Sequence, residues 1–322
     1  MKASPSLPKG VVVTLPELIK LKYFTSGFSL LPRQPVKSLL AGKYGSKLRG
    51  RGLNFEEIRQ YRPGDDIRNM DWKVTARTGK PHTRVYTEER DRPVVTIVDQ
   101  RLSMFFGSQV NMKSVTAAQI ATISLWKAMQ DHDRVGAYIF NDTDIETIRP
   151  HRSQKNITTI LSRLVQYSQK LATDTPRAGS AEMLNNVLEM VLRMRSHDYL
   201  YIVVSDFWGV TNDSYRFVKQ IARNNDVLLF LTHDPIAKKM PDSGRIKITD
   251  GSGRMVEVDS SYERIQQQFP KVLEGRINEL VKELSLFGVP TLPFNTVDAV
   301  SEQLRNLLGQ NSSQQSGLQF KK

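Results

Sequence analysis

The stretch PVVTIVDQRLSMFFG (residues 93–107) carries the strongest fold signal in this chain of 322 residues. Its first half is a continuous run of apolar, mostly β-branched residues that ends at Asp99, which is typical of a strand buried on both faces of a sheet. Three later runs repeat the pattern: VGAYIF (135–140), YLYIVV (199–204) and VLLFL (227–231). The sequence therefore predicts four buried core strands.

Helical patterns lie between these strands. Apolar residues recur at three- and four-residue spacing in residues 115–129, 157–165 and 184–192. Because helices alternate with buried strands, we predict an α/β fold in three layers, with a mostly parallel sheet covered by helices on both faces. This predicted core spans residues 93–309.

Further elements follow the fourth core strand. The sequence GRIKITDGSGRMVEVD (244–259) predicts an inserted β-hairpin with its turn at residues 250–253. Residues 265–284 have the apolar spacing of a long helix, kinked near Pro270 and ended by Gly288. The prolines of VPTLPF (289–294) predict an edge strand, and the polar residues 310–322 are expected to be disordered.

The positive charge is concentrated near the N-terminus. Residues 1–92 carry 19 Lys and Arg against 9 Asp and Glu, a net charge of +10, whereas the whole chain carries +13. This small basic segment either attracts an anionic partner or is simply a solvated surface. The local patterns predict helices near 15–23 and 36–40, a mobile connector over 41–52, strands over 53–61 and 82–92, and a short helix ending at Gly79.

Composition restricts both chemistry and location. Without cysteine the chain has no disulfide, thiolate site or cysteine nucleophile, so the cytoplasm is the expected location. No apolar run approaches the ~18 residues of a membrane span, and we expect neither an anchor nor a secretory signal. Walker A, G-x-G-x-x-G and G-x-S-x-G motifs are absent, and the five histidines show no ligand spacing.

Acidic residues follow two of the predicted core strands. Asp99 ends the first strand and Asp206 follows the third. Ligands of open parallel sheets bind at the carboxyl ends of strands, so these carboxylates and the hydroxyls of Ser103 and of Ser205 or Ser180 form a candidate Mg²⁺ site. The alternative is that the two acids brace their own loops and that Ser180 caps a helix beginning at Ala181.

Four stretches resemble, in order, a known bacterial family. They are GRGLNFEEIRQYRPGDDIRNMDWKVTARTGKPHTRVYTEERDRPVVTIVD (50–99), DRVGAYIFND (133–142), VVSDFWG (203–209) and HDPIAKKMPDSGRIKITDGSGRMVEVD (233–259). The sequence is similar to the domain-of-unknown-function 58 family, whose members resemble von Willebrand factor A domains. The resemblance implies a von Willebrand A-like, Rossmann-type α/β/α sandwich and a partnership with MoxR-type AAA+ ATPases. Many relatives have membrane helices before this region, and this chain resembles the short, soluble form.

The resemblance also implies a metal-ion-dependent adhesion site, in which an Asp-x-Ser-x-Ser loop, a Thr and a further Asp hold Mg²⁺. Asp99, Ser103 and Asp206 match the first Asp, the second Ser and the last Asp, and Ser180 replaces the Thr. Arg101 stands in place of the first Ser. Since a guanidinium repels a divalent cation, our hypothesis is that Arg101 supplies the positive charge itself by pairing with Asp99 or Asp206. This degenerate site would bind Mg²⁺ weakly or not at all.

The most specific part of the resemblance is YRPGDDIRNMDWKVTARTG (61–79), the signature segment. Its charged residues form either a partner or substrate site or an ion-pair network that holds the N-terminal segment on the core. Trp72 is expected to pack beneath the segment. The residues concerned are Arg62, Asp65, Asp66, Arg68, Asp71, Trp72, Lys73 and Arg77.

Together these features predict a non-enzymatic protein-interaction module without catalytic residues. It would be a partner or substrate adaptor of a MoxR-type ATPase in the remodelling of a client protein, an expectation that rests on the resemblance. Nucleic-acid binding by the basic residues 1–92 is the alternative. A metal-dependent hydrolase built on Asp99 and Asp206 has least support, because no base or nucleophile accompanies the two acids.

Overall fold

Two compact units make up the chain. The computed structural model describes residues 8–30, 53–88, 91–173, 179–237, 245–249, 255–259, 275, 278–284 and 287–309. The larger unit combines the N-terminal residues up to 32 with everything from residue 92 onward, and the smaller unit lies within residues 33–91. The two described parts of the predicted basic segment therefore belong to different units.

The helices and strands are named here in chain order. They are α1 (Leu15–Lys20), β1 (Leu53–Gln60), α2 (Trp72–Thr78), β2 (His82–Glu88), β3 (Pro93–Asp99), α3 (Lys113–Gln130), β4 (Arg134–Phe140), β5 (Ile145–His151), α4 (Gln154–Thr173), α5 (Met183–Arg193), β6 (Leu200–Ser205), α6 (Asn212–Ile221), β7 (Asp226–His233), β8 (Arg245–Thr249), β9 (Met255–Asp259), β10 (Thr291–Asn295) and α7 (Val300–Leu308). Residues 278–284 are also helical.

Six strands of the larger unit form a central sheet in the order β10-β7-β6-β3-β4-β5. All neighbouring pairs in this sheet are parallel except β4 and β5. Every residue of β3 is buried, with Val94 and Val98 in the core on one face and Val95 and Ile97 in the core on the other. The prediction of a mixed α/β fold with a mostly parallel sheet is confirmed.

Helices cover both faces of the sheet. One core contains α3, α4 and α7, represented by Ile120, Ile160 and Leu304. The opposite core contains α5 and α6, together with Leu280 and Leu284 of the helical residues 278–284. Most of α3 is buried, polar residues included, because α4 and α7 pack beside it and the sheet lies beneath it.

Residues 8–30 pack against the same core as α3. Val13, Leu18, Phe28 and Leu30 are buried there, because their apolar side chains cover the outer surface of the helical layer. Thr25 donates a hydrogen bond from Oγ1 to Oε1 of Gln130 at 2.7 Å. This part of the predicted basic segment is therefore an integral part of the larger unit.

Three elements of the larger unit were not predicted from the sequence. The edge strand β5 was missed because it is only half-buried and contains Pro150, which an edge tolerates. Two short amphipathic helices were also missed, α6 between the third and fourth predicted strands and α7 after the last predicted strand. In contrast, the inserted hairpin is confirmed by the antiparallel pairing of β8 with β9, and the predicted last strand is β10 at the edge beside β7.

The smaller unit is an antiparallel pair of strands with a short helix in its connection. β1 pairs with β2, and α2 lies between them. Asp71 caps α2 by accepting hydrogen bonds from the N–H groups of Lys73 and Val74 at 3.1 and 3.0 Å. Gly79 ends the helix in the left-handed conformation, as its position in the sequence predicted.

The expectation that Trp72 is buried is wrong within this unit. Its side chain is 66% exposed. The half-buried residues of α2 are Val74 and Thr75, and Trp72 precedes Val74 by two positions, about 200° around the helix. The turn that buries Val74 therefore directs the indole outward.

Several predicted features fall outside the described residues. They are the helix over 36–40, the connector 41–52, the hairpin turn 250–253, the kink at Pro270 with the first part of the long helix, and the tail 310–322. Within the described ranges, no helix combines the length and the apolar character that a bilayer span requires.

Candidate functional site

The carboxyl ends of four neighbouring parallel strands bring acidic residues to one edge of the sheet. Asp99 ends β3, and Asp142, Asp206 and Asp234 follow β4, β6 and β7 in the first or second position. This edge is where an open parallel sheet binds its ligands. We call this group of residues, with the side chains that contact it, the strand-end cluster.

The centre of the strand-end cluster is an ion pair between Arg101 and Asp99. Arg101 Nη2 lies 2.7 Å from Asp99 Oδ2, and Nε lies 3.0 Å from Oδ1. Both side chains are fully buried. Ser205 donates a further hydrogen bond from Oγ to Asp99 Oδ2 at 2.6 Å. Both carboxylate oxygens of Asp99 are therefore engaged.

The remaining sides of the Arg101 guanidinium also have hydrogen-bond or ring partners. Arg101 Nη1 donates to the carbonyl oxygen of Ser180 at 3.0 Å, and Nη2 donates to that of Trp208 at 3.2 Å. Its central carbon lies 5.5 Å from the ring centroid of Phe140 and 5.8 Å from that of Trp208. Burial alone would lower the pKa of Arg101, but the charges of Asp99, Asp206 and Asp142 and the hydrogen bonds to Asp99 together outweigh it and raise the pKa above its usual value. Arg101 is thus permanently cationic.

A second ion pair neutralises Asp206. Lys113, the first residue of α3, places Nζ 2.6 Å from Asp206 Oδ2, and Ser103 donates from Oγ to Oδ1 at 3.2 Å. Burial alone would raise the pKa of Asp206, but the positive charges of Lys113 and Arg101 and the hydrogen bonds from Lys113 and from the N–H of Trp208 together outweigh it and hold the pKa below the usual value. Asp206 is therefore ionised at neutral pH.

Ser180 contributes to the strand-end cluster through its backbone. Its carbonyl accepts from Arg101, and its N–H donates to Asp142 Oδ1 at 2.6 Å, while the N–H of Leu102 donates to Asp142 Oδ2 at 2.7 Å. Asp142 thus ties the loop after β3 to the segment before α5, and burial raises its pKa. The alternative that Ser180 caps a helix starting at Ala181 is wrong, because α5 begins at Met183.

The residues present do not fit the Mg²⁺ ion that the resemblance implies. Mg²⁺ needs near-octahedral coordination by accessible oxygen atoms. Here the carboxylate of Asp99 is enclosed by Arg101 and Ser205, and that of Asp206 is contacted by Lys113. A divalent ion beside Asp99 would have to displace a buried guanidinium. Across the part of the chain that the structure describes, no group of three His, Asp or Glu side chains is arranged to hold a metal ion.

The acids of the signature segment are engaged within the smaller unit. Asp65 pairs with Arg59, with its two oxygens 2.8 and 2.9 Å from the guanidinium nitrogens. Asp66 accepts from the N–H of Arg68 at 2.9 Å. Asp71 caps α2 and also accepts from Arg84 Nε at 2.8 Å. Asp65 and Asp71 are therefore paired with cationic side chains, whereas Asp66 is exposed and accepts a single backbone hydrogen bond.

The four basic side chains of the signature segment face solvent. The side chains of Arg62, Arg68, Lys73 and Arg77 are exposed. None of the salt bridges between described residues involves any of these four side chains. The segment thus presents four basic side chains, while two of its three acids, Asp65 and Asp71, are paired with Arg59 and Arg84.

Comparison with known protein families identifies the family to which this chain belongs. The sequence profile described as "Protein of unknown function DUF58" matches residues 57–276. This chain belongs to the DUF58 family. The whole signature segment and all the charged residues of the strand-end cluster lie within the matched residues.

The curated relatives that this DUF58 chain matches carry the name "Uncharacterized protein". Curated relatives from Mycobacterium tuberculosis and Mycobacterium bovis are 26% identical over 267 residues, covering 83% of this chain and 82% of theirs. Among solved structures, the conserved hypothetical protein BatB from Bacteroides thetaiotaomicron matches 67% of this chain and 96% of its own, with a TM-score of 0.41 and 12% identity.

Three charged residues of the DUF58 chain's strand-end cluster were missed by the sequence reasoning. Asp142 and Asp234 each follow a predicted core strand, so the rule that singled out Asp99 would also have found them. Asp234 accepts from Ser108 and from Thr296, the latter at 2.6 Å. Lys113 had no such signal, because nothing in its local sequence indicates a carboxylate from a strand about ninety residues away.

Proposed function

We propose that this chain is a von Willebrand A-like, non-enzymatic interaction module that engages a MoxR-type AAA+ ATPase in the cytoplasm and helps present a client protein to it. The observation that carries the proposal is the charge-paired state of the strand-end cluster. The two acids best placed for metal or hydrolytic chemistry, Asp99 and Asp206, each contact a cationic side chain. This pairing leaves binding as the function that the geometry supports best.

The same geometry argues against a hydrolase. A general base needs access to a substrate proton within hydrogen-bond distance, and a metal-activated water needs an open coordination position. Asp99 is fully buried and Asp206 is nearly so. Neither carboxylate therefore has the solvent access that a hydrolytic role demands.

The test is a binding and turnover assay with the purified MoxR-type ATPase encoded in the same genome. We expect a complex that depends on ATP and a change in the rate of ATP hydrolysis when this protein is added. The absence of both a complex and a rate change would overturn the proposal.

A second candidate is nucleic-acid binding, which the four exposed bases of the signature segment favour. Phosphate contacts produce affinity that falls steeply with salt concentration. A mobility-shift titration with duplex and single-stranded DNA and with RNA at low salt tests this candidate. If no shift appears under these conditions, nucleic-acid binding is excluded.

A further inference from the structure

The smaller unit exposes two large apolar side chains in the segment where its bases are exposed. Trp72 is 66% exposed and Ile67 is 61% exposed. Both lie in the connection between β1 and β2, within residues that also include Arg68 and Lys73. Large exposed apolar side chains rimmed by polar residues mark interaction sites, because free energy is gained when a partner removes their surface from water.

The backbone of this connection is held in place by the acids. Asp71 is only 4% exposed, and it joins the start of α2 to Arg84 of β2. Asp65 is joined to Arg59 of β1 by a bidentate contact. Because these internal contacts position the connection before any partner binds, little ordering is needed on association.

We propose that this segment docks onto an acidic surface of a partner protein that offers an apolar cleft for the indole of Trp72. The docking face consists of Arg62, Ile67, Arg68, Trp72, Lys73 and Arg77. The proposal rests on the proposed function, since it names the surface through which the ATPase is engaged. Tryptophan and arginine are the residues that most often dominate binding energy in protein interfaces.

Charge complementarity determines the chemistry of the partner. The four bases of the docking face form no ion pair with a carboxylate among the described residues, whereas Asp65 and Asp71 of the segment are paired with Arg59 and Arg84. A partner surface rich in Asp and Glu supplies the missing negative charge and increases the association rate. An acidic protein surface is therefore a better match than a neutral one.

The apolar residues favour a protein over a nucleic acid. Single-stranded nucleic acids bind along rows of aromatic side chains on which successive bases stack. In the docking face one aromatic residue, Trp72, is accompanied by Ile67, which has no ring. An aliphatic side chain beside an indole fits an apolar protein cleft better than a series of bases.

The experiment measures the affinity of the purified ATPase for four forms of the full chain by interferometry at two salt concentrations. The forms are the unmodified protein, Trp72→Ala, Arg68→Glu with Lys73→Glu, and the control Lys155→Glu with Arg223→Glu. The control changes the net charge by the same amount on exposed residues of the larger unit. Circular dichroism verifies that all variants are folded.

We expect Trp72→Ala to weaken binding roughly tenfold or more, as for a central interface tryptophan. The charge-reversed pair should weaken binding at low salt and lose the salt dependence, while the control binds like the unmodified protein. If the unmodified protein binds and all variants bind equally well, the docking face is wrong and the proposed function stands. If the unmodified protein does not bind the ATPase, both are overturned.

Two further arms exclude other occupants of the docking face. Iodide quenches the fluorescence of exposed tryptophans, so Trp72→Ala should remove the most accessible component of this quenching in the free protein. An unchanged quenching curve would show that the chain itself covers the indole of Trp72. Binding of labelled DNA and RNA is measured for the same four forms. If the charge-reversed pair loses nucleic-acid binding but keeps the ATPase, the protein-docking proposal is overturned.

Discussion

Arg101 and Asp99 lie two residues apart and form an ion pair in which both side chains are fully buried, with Nη2 2.7 Å from Oδ2. Taking two charges out of water is expensive, and it is compensated only when further hydrogen bonds satisfy both groups. Ser205 donates a further hydrogen bond to the carboxylate, and the carbonyls of Ser180 and Trp208 accept hydrogen bonds from the guanidinium. The loops after β3 and β6 and before α5 are thereby joined at one buried charge.

The first prediction concerns Arg101→Ser. Removing one partner of a buried ion pair leaves an uncompensated charge, so we expect a loss of about 3–5 kcal/mol in the free energy of unfolding. Urea denaturation measures this loss. The double variant Asp99→Asn with Arg101→Met should lose less than Arg101→Ser, because it leaves no unpaired charge in the core.

The same variant tests the role of Arg101 as a built-in cation. Isothermal titration of the unmodified protein with Mg²⁺ and Mn²⁺ should show no tight binding, whereas Arg101→Ser should gain measurable binding and recover part of its lost stability in Mg²⁺. Tight binding of Mg²⁺ or Mn²⁺ by the unmodified protein would contradict the conclusion that the residues of this site do not fit a divalent cation.

The second prediction concerns the pH dependence of stability. The folded-state pKa of Asp206 is lowered, mainly by Lys113 and Arg101 acting against burial, so its ionised form stabilises the fold. This contribution is complete above the unfolded-state pKa of about 4 and is lost as the pH falls through the lower folded-state pKa. Urea denaturation between pH 7 and pH 2 measures the decrease.

A matched pair of lysines provides the control for this decrease. Lys113→Met removes the nearest charge from Asp206 and should reduce the loss of stability on acidification. Lys127→Met breaks a pair with Asp131 on the helix surface and should have little effect. In an NMR titration, Asp142 should titrate above the usual range because of its burial, and Asp206 below it.

The third prediction concerns Gly209, which has φ +76° in the bend after β6. A Cβ at this position would lie 2.5 Å from the Cβ of Ala181 and 2.9 Å from its Cα. Gly209→Ala should therefore cost more than the ~1–2 kcal/mol of left-handed backbone strain alone. Thermal denaturation of this variant and of a control at Gly79 separates the steric clash from the strain.

Gly79→Ala is the matched control, because Gly79 has φ +68° and no atom lies within 4 Å of the position that a Cβ would occupy. It should show only the backbone strain. Adding Ala181→Gly to Gly209→Ala should recover part of the excess cost. If Gly209→Ala and Gly79→Ala are equally destabilising, close packing between the two loops is not important for stability.

The fourth prediction compares two tryptophans. Trp72→Ala should change the free energy of unfolding by no more than ~0.5 kcal/mol, because the side chain is 66% exposed. Trp126→Ala should lower the free energy of unfolding by about 3–5 kcal/mol, because Trp126 lies in α3, is only 7% exposed and packs in the core. Chemical denaturation measures both. A large loss in Trp72→Ala would mean that the residue has a structural role.

The main elements of the core could be predicted because their signals are local. The continuous apolar runs of β3, β4, β6 and β7 and the spacing in α3, α4 and α5 are properties of neighbouring residues. The half-buried strand β5 and the short helices α6 and α7 have weaker patterns and were missed. In the strand-end cluster, position after a core strand was sufficient to single out Asp99 and Asp206.

The sequence alone determined that strands and helices alternate, that charge accumulates before residue 92, and that a cation stands two residues after Asp99. Only the tertiary structure decided which charges meet. Lys113 reaches Asp206, and Ser103 reaches it from 103 positions away, because parallel strands end at a common edge. The outward direction of Trp72 likewise depends on which face of α2 packs against the strands. Pairing and exposure depend on distances in space, which no local pattern contains.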